Sequence, residues 1–130
     1  MFGQDQLNPT LVIVSGMHRS GTSSVARSLG VFNLKLGEKL MAPQPGNNAK
    51  GFFEDLDVVQ LNDEILAACN RHWDSVLPLN AQEINRLVQK GYAEQALALI
   101  QAKLSQHSHF AFKDPRTSKL IPFWEAALGQ

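Results

Sequence analysis

The sequence predicts an α/β fold with a buried parallel sheet, and three observations carry that prediction. Residues 10–15 form a continuous apolar, β-branched run, which fits a strand covered on both faces. A turn bounded by Gly16 and Gly21 follows, and from Thr22 the pattern becomes helical. Val25, Ala26 and Leu29 share one face of that helix, with Gly30 placed to end it. A second short apolar run, Phe110-Ala111-Phe112, reads as another buried strand and ends at Lys113-Asp114-Pro115-Arg116. Strand, glycine loop and helix in that order open the three-layer nucleotide-binding α/β folds built around a P-loop.

The segments between these landmarks read as follows. Residues 34–53 form a long loop, because Pro43, Pro45, Gly46, Asn47 and Asn48 cluster there. A helix starts near Asp55 or Asp57, with Val58, Leu61, Ile65 and Ala68 on one face. Asp57 and Gln60 resemble a capping box. The same arrangement recurs at Asn80 and Glu83, opening a helix through Ile84, Leu87 and Val88 that Gly91 breaks or kinks. Leu97, Ile100 and Leu104 continue the helical pattern from Tyr92. The tail from Thr117 to Leu128 reads as a helix, provided that Pro122 falls in its first turn. Trp73, Trp124 and the phenylalanines read as core.

The 130 residues make one domain at most, and 44% hydrophobic with 18% charged residues describes a globular chain. Twelve basic residues balance twelve acidic ones, so neither a nucleic-acid backbone nor an anionic membrane is an expected partner. Any anion site must be local. Cys69 is the single cysteine, which suits a reducing compartment. No basic stretch precedes an apolar one at residues 1–5, and Leu11-Val12-Ile13-Val14 is far short of the ~20 residues of a membrane span. A cytoplasmic location is the expectation.

The chemistry concentrates in residues 16–23. Gly16-x-x-x-x-Gly21-Thr22-Ser23 has P-loop spacing, except that Thr22 stands where the lysine belongs. Glycines let backbone N–H groups converge on an anion, and the following helix start adds its positive dipole end. Thr22 and Ser23 add hydroxyl donors. Without the lysine that reaches β- and γ-phosphates, γ-phosphate chemistry is disfavoured. Arg19 offers a forked cation suited to a tetrahedral oxyanion.

The segment Arg19-Ser20-Gly21-Thr22-Ser23 after a strand resembles the opening of sulfotransferases that use 3′-phosphoadenosine 5′-phosphosulfate (PAPS). Gly51-Phe52-Phe53-Glu54 is similar to a motif of bacterial sulfotransferase-like proteins, and Lys113-Asp114-Pro115 to a segment of protein-tyrosine sulfotransferases. The resemblance implies a sulfuryl transfer from PAPS to an acceptor hydroxyl, without a metal. It implies that Gly21, Thr22 and Ser23 hold the 5′-phosphate, with Gly16, His18 and Ser20 completing the cofactor site. Arg19 would sit at the bridging and sulfuryl oxygens. Lys113 would stabilise the leaving bridging oxygen, and Glu54 would be the general base.

Other readings stand beside these. Lys113 also fits a surface lysine at a strand end, with Asp114 capping the next turn. Glu54 also fits a carboxylate placed by a helix dipole. Arg116 fits an ion pair with a nearby acid better than catalysis. In sulfotransferases the arginine and serine that grip the 3′-phosphate follow the Lys113 segment, and no clear counterpart is present here. The expectation is therefore the N-terminal part of such a fold, which self-associates through its sheet edge and tail helix or needs a C-terminal partner chain. A P-loop kinase-like protein and an inactive anion- or nucleotide-binding remnant are the alternatives.

Overall fold

The structure, a computed structural model, describes residues 8–47 and 51–129. The readings at residues 1–5 and at Asn48 lie outside the described residues. The fold is mixed α/β: a parallel sheet of two strands and five α-helices among the described residues.

Strand β1 (Thr10–Val14) pairs in parallel with β2 (His109–Lys113), placing Leu11 opposite Phe110 and Val14 opposite Lys113. The two strands differ in cover. β1 is half-exposed over most of its length, whereas Phe110, Ala111 and Phe112 are completely buried. The cause lies in the long loop after the first helix, which is not irregular throughout. Lys35 lies against the far edge of β2, where its N–H donates to His109 O (3.1 Å) and its carbonyl accepts from Ala111 N (2.8 Å). β2 is thus central and β1 an edge.

Helix α1 (Thr22–Ser28) buries Ala26 but leaves Val25 exposed. It does not stop at Gly30. The chain tightens into a 3₁₀ turn over Leu29–Phe32 and stops at Asn33, which takes the left-handed conformation at φ 58°. Phe32 is exposed there, against the core reading of the phenylalanines.

Helix α2 (Leu56–Ala68) is capped by Asp55, whose carboxylate accepts from the Asp57 and Val58 N–H groups, so the cap lies two residues before that of an Asp57–Gln60 box. Lys103 bridges Asp55 (2.9 Å) and Asp57 (2.6 Å), which ties the helix start to the segment around Lys103. Helix α3 (Ala81–Gln89) has the reciprocal Asn80–Glu83 capping box. Gly91, at φ 86°, breaks the chain before α4 (Tyr92–Gln106).

Helix α5 (Thr117–Leu128) carries Pro122 in its interior rather than in its first turn. Its apolar residues are what hold it there. Leu120, Phe123 and Trp124 are buried against Ile65, Phe110 and Phe112, with the Phe112 and Trp124 ring centres 5.1 Å apart. Each such side chain contributes about 1.5–3 kcal/mol on burial, enough to offset the lost hydrogen bond of a helical proline. The apolar face of the tail helix, which the sequence left in need of a partner layer, is packed into this chain's own core. What stays open is the outer side of β1. There Pro9, Leu11 and Ile13 face Leu97, Ile100, Leu104 and Leu128 across a groove of about 480 Å³. Among the described residues, no helix is long and apolar enough to cross a membrane.

Candidate functional site

Both strands end at the same cleft. It encloses about 240 Å³ and is lined by His18, Arg19, Gly21, Thr22, Ser23, Phe52, Glu54, Lys113 and Pro115. Three distant stretches of chain thus converge: the glycine loop, the segment before α2, and the exit of β2.

The glycine loop is braced from within. Ser20 Oγ donates to Met17 O at 2.6 Å. A Cβ on Gly16 would come within 2.5 Å of Thr22 Cγ2 and 3.0 Å of Ser20 Oγ, so only glycine lets the loop close on the helix start. Gly16 and Ser20 shape the loop from below, while the other expected residues line the cleft. Arg19 and Gly21 both take positive φ, 63° and 86°, which turns the chain sharply before α1. Gly21 caps that helix without a side-chain acceptor. Among the described residues, the N–H groups of Ser20 to Ser23 meet no acceptor. Unpaired donors at a turn are the requirement for an oxyanion site.

The Glu54 segment is tied over this loop. Ser23 Oγ donates to Phe52 O (3.3 Å), and Arg19 Nη1 donates to Asn47 O (3.1 Å). Phe53 adopts φ 57°, reversing the chain so that Glu54 turns inward. Glu54 and Lys113 are both about 3% exposed and pair at 2.7 Å. Lys113 Nζ also donates to Phe52 O at 3.3 Å. Glu54 precedes the α2 cap and is held by a cation, so the helix dipole does not account for its position. Burial pushes its carboxyl above the ordinary range, while the Lys113 hydrogen bond pulls the other way.

Behind the pair lies a polar network that the sequence reading did not assemble. Asp114, fully buried, accepts from Asn62 Nδ2 (2.9 Å), Arg116 N (3.1 Å) and Arg116 Nη1 (2.8 Å). Asn62 in turn donates to Thr117 Oγ1 (3.1 Å) and accepts from Trp124 Nε1 (3.0 Å). Arg116 reaches Asp63 at 2.7 Å and stands 3.6 Å from Glu54 Oε2. Arg116 is thus the ion-pairing residue that its sequence context indicated. Among the described residues, every buried side-chain nitrogen and oxygen has a partner. Asn62 was findable: it is a lone amide on the apolar face of α2, between Val58, Leu61 and Ile65, where a polar group needs a buried partner.

His18, at the rim, has its pKa lowered by burial first and then by the Arg116 charge. Its ring meets the Trp73 indole edge-on, with centres 5.1 Å apart. Trp73 is 54% exposed, contrary to the core reading. No group of three or more His, Cys, Asp or Glu is arranged to hold a metal ion among the described residues. Comparison with protein-family models, curated proteins and solved structures finds no match to this chain.

Proposed function

We propose that the chain is a PAPS-dependent sulfotransferase or the N-terminal portion of one, with a P-loop-type donor site. One observation carries this reading. A loop of unpaired backbone donors faces a buried Lys113–Glu54 pair across a single cleft. The donor would supply a sulfuryl group on a phosphate leaving group, with no metal required of the protein. The fit is chemical: four N–H groups, the Thr22 hydroxyl and the Arg19 fork suit a tetrahedral oxyanion.

The chain's residues divide the work. Ser20 to Ser23 orient the 5′-phosphate by backbone donation, and Thr22 adds a hydroxyl contact, while the Ser23 hydroxyl ties the Phe52 segment over the loop. Lys113, fixed by Glu54 and Phe52 O, keeps an ammonium near the bridging oxygen, where negative charge grows in the transition state. Glu54 accepts at Oε1 from Lys113, and its Oε2, which stands 3.6 Å from Arg116 Nη1, would take the acceptor's proton. A carboxyl raised by burial is a better base than an ordinary glutamate. Arg116 and Asp114 hold this pair in register from behind.

Thermal shift with adenosine 3′,5′-bisphosphate, magnesium-ATP and sulfate tests the reading. Stabilisation by the bisphosphate in excess of that by magnesium-ATP is expected. A larger shift with magnesium-ATP, dependent on the metal, would instead mark a P-loop kinase or hydrolase.

A further inference from the structure

The open edge of β1 presents main-chain groups as well as an apolar wall. Thr10 N donates to Ser108 O (2.9 Å), so the parallel ladder to β2 runs through Thr10, Val12 and Val14. β2 shows the same alternation on its other side, where His109 O and Ala111 N turn to Lys35. By that alternation Leu11 and Ile13 direct their N–H and C=O groups away from β2. Among the described residues, those two N–H groups meet no acceptor. The Leu11 and Ile13 side chains line the groove with Leu97, Ile100, Leu104 and Leu128. Unpaired donors and acceptors along an apolar trough suit an added strand. Nothing in Thr10–Val14 blocks one: the strand holds no charged residue and no proline, and its register with β2 runs without a bulge.

The strand that fits is β1 of a second copy. No charged residue lines the groove among those described, and the chain balances twelve basic against twelve acidic residues. Two copies therefore meet there without like-charge repulsion. The bonding pattern is also its own complement. In an antiparallel pair about a two-fold axis at Val12, Leu11 of each copy stands opposite Ile13 of the other. Both residues turn N–H and C=O outward, so each such pair exchanges two hydrogen bonds. The same axis joins the two grooves on one face of a continuous β2-β1-β1-β2 sheet and covers Leu97, which is 38% exposed in the single chain. The chain's own residues 1–7 lead to Pro9 at the groove but fit it less well, because Gly3-Gln4-Asp5-Gln6 brings no apolar side chain.

We infer that the chain forms a two-fold dimer through the outer edges of β1, antiparallel about Val12, with Leu97, Ile100 and Leu104 of the two α4 helices covering the seam. Such a dimer stands or falls independently of sulfuryl transfer.

Sedimentation equilibrium of the full chain tests the association, and cysteine cross-linking tests the register. A dimer is expected. Leu97→Lys sets like charges at the seam and should raise the dissociation constant about tenfold or more, with far-UV circular dichroism unchanged. Val25→Lys, at an exposed apolar residue outside the groove lining, should leave the dissociation constant as it is. In a Cys69→Ser background, Val12→Cys should form an intermolecular disulfide on mild oxidation, because facing residues that do not bond each other lie about 4.5 Å apart between Cα atoms. Thr10→Cys should not, since the two Thr10 positions would lie roughly 14 Å apart along the strands. A monomer would overturn the inference, as would a dimer indifferent to Leu97→Lys, or cross-linking through Thr10 in preference to Val12. A monomer that dimerises only once residues 1–7 are removed would also overturn it, by assigning the edge to the chain's own N-terminus.

Discussion

The exits of the two strands meet at one cleft but are built in opposite ways. β1 is an edge strand, and its exit loop is exposed, strained at Arg19, turned at Gly21, and supplies backbone donors. β2 is central, and its exit, from Lys113 to Thr117, is largely buried and supplies charged side chains locked in a network. The contrast separates two tasks. Backbone N–H groups bind an anion without the cost of burying charge. Cations and carboxylates act strongly only where water is excluded, and there each needs a partner.

The largest effect expected from breaking this contrast is at Asp114. Replacing Asp114 with Ala leaves the Arg116 guanidinium and Asn62 amide without their buried acceptor. Urea unfolding should show a loss of about 3–5 kcal/mol. A loss under about 1 kcal/mol would mean that water reaches the network. Substitutions of the exposed loop residues His18, Arg19 and Ser20 should not approach the Asp114 effect.

Lys113 and Glu54 come next. Under the proposed function, Lys113→Met should lower sulfuryl-transfer turnover about a hundredfold with little change in bisphosphate affinity, because its charge would act in the transition state. Glu54→Gln should also lower turnover, and the double variant should be less destabilised than Lys113→Met alone, since no lone carboxylate is left buried. Equal losses in affinity and turnover would restrict both residues to binding.

The smallest effect concerns pH at the loop. His18 titrates below its ordinary value of 6.5, chiefly through burial. A depressed histidine contributes stability that is complete above pH 6.5 and lost as pH falls through its folded value. Bound sulfate should favour the protonated ring, so sulfate affinity should rise as pH falls below 6.5. His18→Gln should flatten that rise. Identical profiles for the two proteins would place the anion away from His18.

How much of this was legible depended on whether the cause was local. Strand positions, the Asn80–Glu83 box and the break at Gly91 follow from short-range chemistry and lie where the sequence puts them. The convergence of residues 16–23, 54 and 113 was anticipated only through resemblance, since no local rule brings Glu54 to Lys113. The misreadings share a tertiary origin. Pro122 lies within α5 because the core packing of Leu120, Phe123 and Trp124 outweighs the helix rule. Trp73 is exposed because Lys119, distant in sequence, grips its loop. Asp55 wins the cap over Asp57 because Lys103 compensates its complete burial. Nothing local in the sequence marks those partners.

The proposed function requires that an oxyanion of a sulfuryl-donor nucleotide sit on the Ser20–Ser23 backbone, opposite Lys113. The most direct measurement is an amide-resolved NMR titration of ¹⁵N-labelled protein with adenosine 3′,5′-bisphosphate, with magnesium-ATP as the comparison. The largest shifts are expected at the Ser20, Gly21, Thr22 and Ser23 amides, with a weaker response to magnesium-ATP. Large shifts elsewhere with these four amides unmoved, or saturation by magnesium-ATP at lower concentration than by the bisphosphate, would contradict it.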